Sequence, residues 1–123
     1  MSTIELTARS FDEVISDNDF VVIDFWAEWC GPCRTFGPVF ETVSARHEDI
    51  VFGKVDTASQ RDLAQAFQIT SIPTLMIVRE RIAVFRRPGA LPEAALDGLL
   101  AQARDLDMDQ VRASLAAEGG KNR

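Results

Sequence analysis

Apolar positions along this chain switch between a spacing of two and a spacing of three to four, and the switches mark its elements. Residues 3–7 (TIELT) alternate polar and apolar, which predicts a short edge strand. Ser10 followed by Glu13 has the spacing of a capping box, and Phe11, Val14 and Ile15 then share one helical face. Asp17-Asn18-Asp19 reads as a turn. The run FVVIDFW, residues 20–26, is apolar except for Asp24 and rich in β-branched and aromatic types. It predicts a central strand covered on both faces, as in a parallel sheet with helices outside.

Further along, Phe36, Val39, Phe40 and Val43 follow helical spacing, so a helix is expected to run to about His47. Pro38 lies inside it and should bend it, because proline lacks a backbone donor and clashes with the preceding turn. Residues 50–55 predict a second buried strand. Ser59 and Asp62 are expected to cap a short helix carrying Leu63 and Phe67. Residues 74–78 and 82–85, joined by Arg79-Glu80-Arg81, predict a hairpin. Pro92 opens a helix with Leu96, Leu99, Leu100 and Ala103 on one face. The order β-α-β-α-β-α-β-β-α is that of an α/β protein, a central mixed sheet flanked by helices on both faces. Asp105-Leu106-Asp107 interrupts the pattern, so residues 1–105 read as one domain. Residues 106–123 read as an extension, with a short helix capped by Asp107 and a disordered tail from Gly119.

Composition narrows the possible functions. The 123 residues carry 19 acidic and 13 basic side chains, a net charge of −6, in alternating signs rather than blocks. Nucleic-acid binding draws on clustered Lys and Arg and is not expected. No apolar run approaches the ~18–20 residues of a membrane span, and the N-terminus lacks the basic stretch and apolar core of an export signal. The reading is a cytoplasmic protein. It has two cysteines, Cys30 and Cys33, which is too few for a disulfide scaffold.

Trp29-Cys30-Gly31-Pro32-Cys33 sits where the central strand passes into the following helix. Residues three apart on a helix share a face, within a modest adjustment of bonding range. Gly31 permits a tight turn, and Pro32 suits a first helical turn, where no backbone donor is needed. Cys30 at the helix start meets unpaired N–H groups and the positive end of the dipole, which favour an exposed, easily ionised sulfur. The thiolate is the form that attacks disulfides. Two other uses compete. A purely stabilising disulfide gains only ~2 kcal/mol from so small a ring. A structural zinc wants four ligands, and His47 is the one other soft candidate.

Residues 21–38 (VVIDFWAEWCGPCRTFGP) closely resemble the active-site segment of bacterial thioredoxins. Ser71-Ile72-Pro73-Thr74 resembles that family's cis-proline loop, and Pro88-Gly89-Ala90-Leu91 its later glycine turn; the likeness spans residues 4–104. The resemblance implies the thioredoxin fold and a thiol–disulfide oxidoreductase that reduces protein disulfides, with Cys30 as nucleophile and Cys33 as resolving thiol. It places Asp24 beneath the cysteines as proton acceptor for Cys33, with Lys54 close by; a partly solvated Asp24–Lys54 ion pair is the alternative. A carboxylate in an apolar strand should in any case have a raised pKa. Pro73, otherwise a plain strand-entry proline, is implied to be cis, exposing the Ile72 backbone to a substrate strand. Trp29, Gly31, Pro32, Ile72, Pro73, Gly89 and Ala90 form the implied docking surface, and Trp26 belongs either to it or to the core. The family implies no bound cofactor or metal, electrons from NADPH through a thioredoxin reductase, substrate proteins with disulfides, and a monomer. Arg79-Glu80-Arg81 departs from the family's usual Asn-Gly turn, Pro88 precedes the glycine, and Arg34 stands for a common lysine. The extension could pad the domain, self-associate or do nothing. An oxidant on the same fold and a pure binding module remain rivals.

Overall fold

The structure is a computed structural model that describes residues 2–121, the last three by their backbone alone. Five strands, β1 (Thr3–Glu5), β2 (Phe20–Trp26), β3 (Val51–Asp56), β4 (Thr74–Arg79) and β5 (Ile82–Pro88), form one sheet in the order β1-β3-β2-β4-β5. β1, β3 and β2 run parallel, while β4 is antiparallel to both β2 and β5. The sheet is therefore mixed, with β2 at its centre. The helices are α1 (Phe11–Asp17), α2 (Gly31–Ser44), α3 (Arg61–Ala66), α4 (Glu93–Arg104) and α5 (Met108–Lys121).

Alternation along β2 explains why its apolar run is continuous. Val22 faces α2 and α4, where Phe36, Phe40, Leu96 and Leu100 pack against Phe52, Leu75 and Ile77. Val21, Ile23 and Phe25 face the other layer, with Phe11 of α1 and Leu63 and Phe67 at α3. Side chains alternate across a strand, so both faces must be apolar when both are covered. Gly53 on β3 matters for the same reason. A Cβ there would collide with the fully buried Leu6 just past β1, so only glycine admits that contact.

Several local expectations change. Ser10 does begin α1, but its hydroxyl turns back to accept from the Thr7 N–H at 3.1 Å, and no capping box forms. Gln60, not Ser59 or Asp62, precedes α3, since the Ser59 hydroxyl donates to the Asp56 carbonyl at 3.4 Å. α2 passes through Pro38 and ends at Ser44, and tighter turns carry the chain on to His47. The hairpin turn is one residue shorter than expected: Arg79 stays in β4, and Glu80 and Arg81 make the turn with φ of +51° and +70°. Positive φ at both central residues is the type I′ signature that suits the twist of paired strands. Arg79 has a use the periodicity does not reveal. Its buried guanidinium donates to the carbonyls of Ala103 and Arg104, closing the C-terminus of α4, and lies 5.0 Å from the Phe20 ring centre.

The extension also differs. Asp107 caps α5 as expected, accepting from the Gln110 N–H at 3.2 Å. The helix is not short, however, and residues 119–121, expected in a disordered tail, continue it to Lys121. Ala113, Ala116, Ala117 and Glu118 are good helix formers and outlast the apolar stripe. Residues 122–123 of the expected tail lie outside the described residues.

Candidate active site

β2 ends at Trp26 and α2 begins at Gly31, so the intervening residues deliver both cysteines to one end of the sheet. Cys30 is the N-cap of α2, with Pro32 in its first turn. Cys30 and Cys33 are joined by a disulfide, with their Cα atoms 5.2 Å apart. The Cys33 N–H donates to Cys30 Sγ at 3.2 Å, and the Ile72 carbonyl oxygen stands 3.6 Å from the same sulfur. The Ile72–Pro73 bond is cis. The Gly89 N–H, at a φ of +99° that favours glycine, donates to the Pro73 carbonyl at 2.7 Å. That bond ties the expected glycine turn to the proline loop.

Exposure around the pair is uneven. Trp29 is 73% exposed, and Gly31, Pro32, Gly89 and Ala90 are exposed too. Cys30 and Cys33 are each only 4% exposed, so the expectation of an exposed sulfur is corrected. Bonded to each other, they pack with Ala27 and are flanked by Trp26 and Ile72. Trp26 thus touches the site and is not simple core filler. Ala27 is fully buried against the cysteines, and nothing in the local sequence marks it beyond a methyl between Trp26 and Trp29.

Asp24 lies two residues past Val22 and so points to the α2 side of the sheet, the helix whose first turn holds Cys33. It is fully buried, and neither carboxylate oxygen has a hydrogen-bond partner. Burial pushes its carboxyl from the ordinary 3.8 up to about 7, against the opposing pull of Lys54. Lys54 is its register partner on β3, but the ammonium lies over the Trp26 ring, 4.8 Å from its centre. The partly solvated ion pair is therefore not what the sheet holds. Arg34, exposed, donates to the Glu28 carbonyl at 3.0 Å. Among the described residues no group of three or more His, Cys, Asp or Glu could hold a metal ion, and no helix is long and apolar enough to cross a membrane. His47 is taken up by Asp97, 3.0 Å from its Nε2.

A family model described as Thioredoxin matches residues 2–102. The chain belongs to the thioredoxin family. A putative thioredoxin 2 of Streptomyces coelicolor is 63% identical over 117 residues, covering 95% of this chain and 87% of the relative. A bifunctional thioredoxin reductase/thioredoxin of Mycobacterium leprae is 41% identical over 96 residues, covering 76% of this chain and 21% of that one. Among solved structures, Plasmodium falciparum thioredoxin superposes with a TM-score of 0.75 at 35% identity, over 81% of this chain and 97% of that one. The thioredoxin fold expected from the sequence is thus the fold found. With the bonded pair in the family's CxxC motif, this thioredoxin-family chain is a thiol–disulfide oxidoreductase, a protein-disulfide reductase acting through Cys30 and Cys33.

Proposed function

We propose that Cys30 attacks substrate disulfides as a thiolate, that Cys33 resolves the product, and that Asp24, tuned by Lys54, accepts the Cys33 proton. The supporting observation is the place of Cys30 at the N-cap of α2, where the Cys33 N–H meets its sulfur at 3.2 Å. Backbone donors and the helix dipole favour negative charge at that point. In the dithiol form the Cys30 thiolate bonds to one substrate sulfur, the substrate disulfide breaks, and the other substrate sulfur leaves as a thiolate. Cys33 then gives its proton to Asp24, its thiolate attacks Cys30 Sγ, and the second substrate sulfur is released. Two electrons pass from this chain to the substrate, and Cys30–Cys33 is left as a disulfide.

Trp29, Gly31, Pro32, Ile72, Pro73, Gly89 and Ala90 form the docking surface, with the Ile72 backbone pairing with an extended substrate segment. Most of these residues are exposed around a reactive sulfur, which favours partner contact over chance. Electrons come from NADPH through a thioredoxin reductase, with no cofactor resident on this chain. The Mycobacterium leprae relative, which joins the two activities by name, supports that partner. The chain works in the cytoplasm as a monomer, and residues 1–105 carry the activity.

Trapping tests the assignment. With Cys33→Ser, a disulfide-bearing substrate protein should accumulate as a mixed disulfide on Cys30, seen on a non-reducing gel and released by dithiothreitol. Cys30→Ser should trap nothing and lose turnover. An adduct on Cys33 in the Cys30→Ser chain, or turnover surviving it, reverses the roles. A reduction potential at the oxidising end of the range for such pairs points to the oxidant instead.

A further inference from the structure

Glu5, Lys54 and Asp24 are register partners across β1, β3 and β2, so a lysine stands between two carboxylates on one face of the sheet. The ammonium goes to neither. It rests over the ring of Trp26, two residues along β2 on the same face, beside the open place that Gly37 leaves on α2. A Cβ on Gly37 would stand 3.7 Å from Lys54 Nζ. The indole N–H and the ammonium are both donors, so what Trp26 offers the lysine is its face. Magnitudes explain the choice. An ion pair at 4 Å gains ~4 kcal/mol at an effective dielectric of 20, but drawing an ammonium into a dry site costs several. A cation over a ring gains ~0.5–2 kcal/mol. Half-buried Lys54 keeps that gain without full desolvation.

We propose that Trp26 is a positioning residue for the proton step: its ring face holds the Lys54 ammonium off Asp24 and prevents a direct ion pair between them. The charges facing this arrangement are few. Lys54 is the charged group that bears on Asp24, whose partner on β4 is the apolar Leu75. Glu5 on β1 and Asp56, the register partner of Trp26, flank Lys54. A bare carboxyl left near neutrality can take and return a proton at working pH, whereas a paired one stays ionised.

The test follows the Asp24 carboxyl by carbon NMR through a pH titration of the oxidised full chain. In Trp26→Leu, the released ammonium should move onto Asp24 and lower its midpoint by about one pH unit. Trp26→Phe keeps a ring face and should hold the wild-type midpoint. Lys54→Met should raise it, and adding Trp26→Leu to Lys54→Met should change nothing more. Should Trp26→Leu fail to fold, Trp26→Met, equal in volume to leucine but unbranched and able to follow an irregular gap, is read the same way. An unmoved midpoint overturns the proposal. So does an equal fall in the Lys54→Met background, which would make the ring merely a seal against water. The inference rests on the reading of Asp24 as proton acceptor, and the titration is independent of turnover. A shifted midpoint with unchanged resolution of a mixed disulfide would support the positioning and sink the acceptor role.

Discussion

Asp24 enters the interior as an acid. Burial lifts its carboxyl from 3.8 to about 7, so the folded chain keeps a proton there that the unfolded chain gives up near pH 4. Within that window the folded state binds more protons, and stability falls as pH rises. Below about pH 4 both states are protonated and the penalty vanishes; above about 7 both are ionised and it is complete, on the order of 4 kcal/mol at 1.36 kcal/mol per unit. Asp24→Asn removes the titration. Urea unfolding should show the difference between variant and wild type moving by that amount in the variant's favour from pH 4 to pH 8; a flat difference rules the account out. Asp24 was legible because it is the one polar residue in FVVIDFW. The resting place of Lys54 was not, since strand alternation says which face a lysine leaves from and nothing about where four methylenes carry its charge.

At the scale of the element, the hairpin illustrates the same boundary. Alternation marks β4 and β5, but the turn carries no glycine, and Arg79 looks like a turn residue until its guanidinium is seen closing α4. Glu80 and Arg81 adopt positive φ, which costs an ordinary side chain ~1 kcal/mol that glycine does not incur. Arg81→Gly should therefore stabilise the chain by about 0.5–1 kcal/mol in chemical denaturation, as its contact to the Ser16 carbonyl, at 3.4 Å, is long and exposed. Turnover should be unchanged, because this turn lies at the opposite end of β4 from Thr74. A loss of stability would mean that the backbone is comfortable and the side chain is not idle. Ser10 and Ser59 fail as caps for a related reason: each hydroxyl finds a nearer backbone partner in the preceding turn.

For the molecule as a whole, the legible part was the layering. The run of β2, the helical stripe of α2 and the stripe of α4 together demand helices on both faces of a sheet, and WCGPC with IPT marks its working end. The pairing of β1 with β3 rather than with β2 depends on contacts such as Leu6 over Gly53, which no local spacing encodes. The extension is attached lightly. Met108 is buried, and Arg112 pairs with Glu80 and Asp109 at the surface, where ion pairs contribute little. Ending the chain after Asp105 should cost about 2–5 kcal/mol, the burial of Met108 with the partial burial of Leu106 and Val111, with turnover retained. Lost turnover in a folded truncated chain would make α5 part of the site.

The Arg112–Glu80 contact puts the start of α5 at the end of β4 remote from Thr74, whereas Pro73, just before Thr74, adjoins the cysteines. A tether joined to α5 at the exposed Asp109, beside Arg112, would therefore pull from the rear. Fixed to a resin or an electrode by that point, the molecule turns the end that carries its disulfide and the exposed Trp29 away from the support.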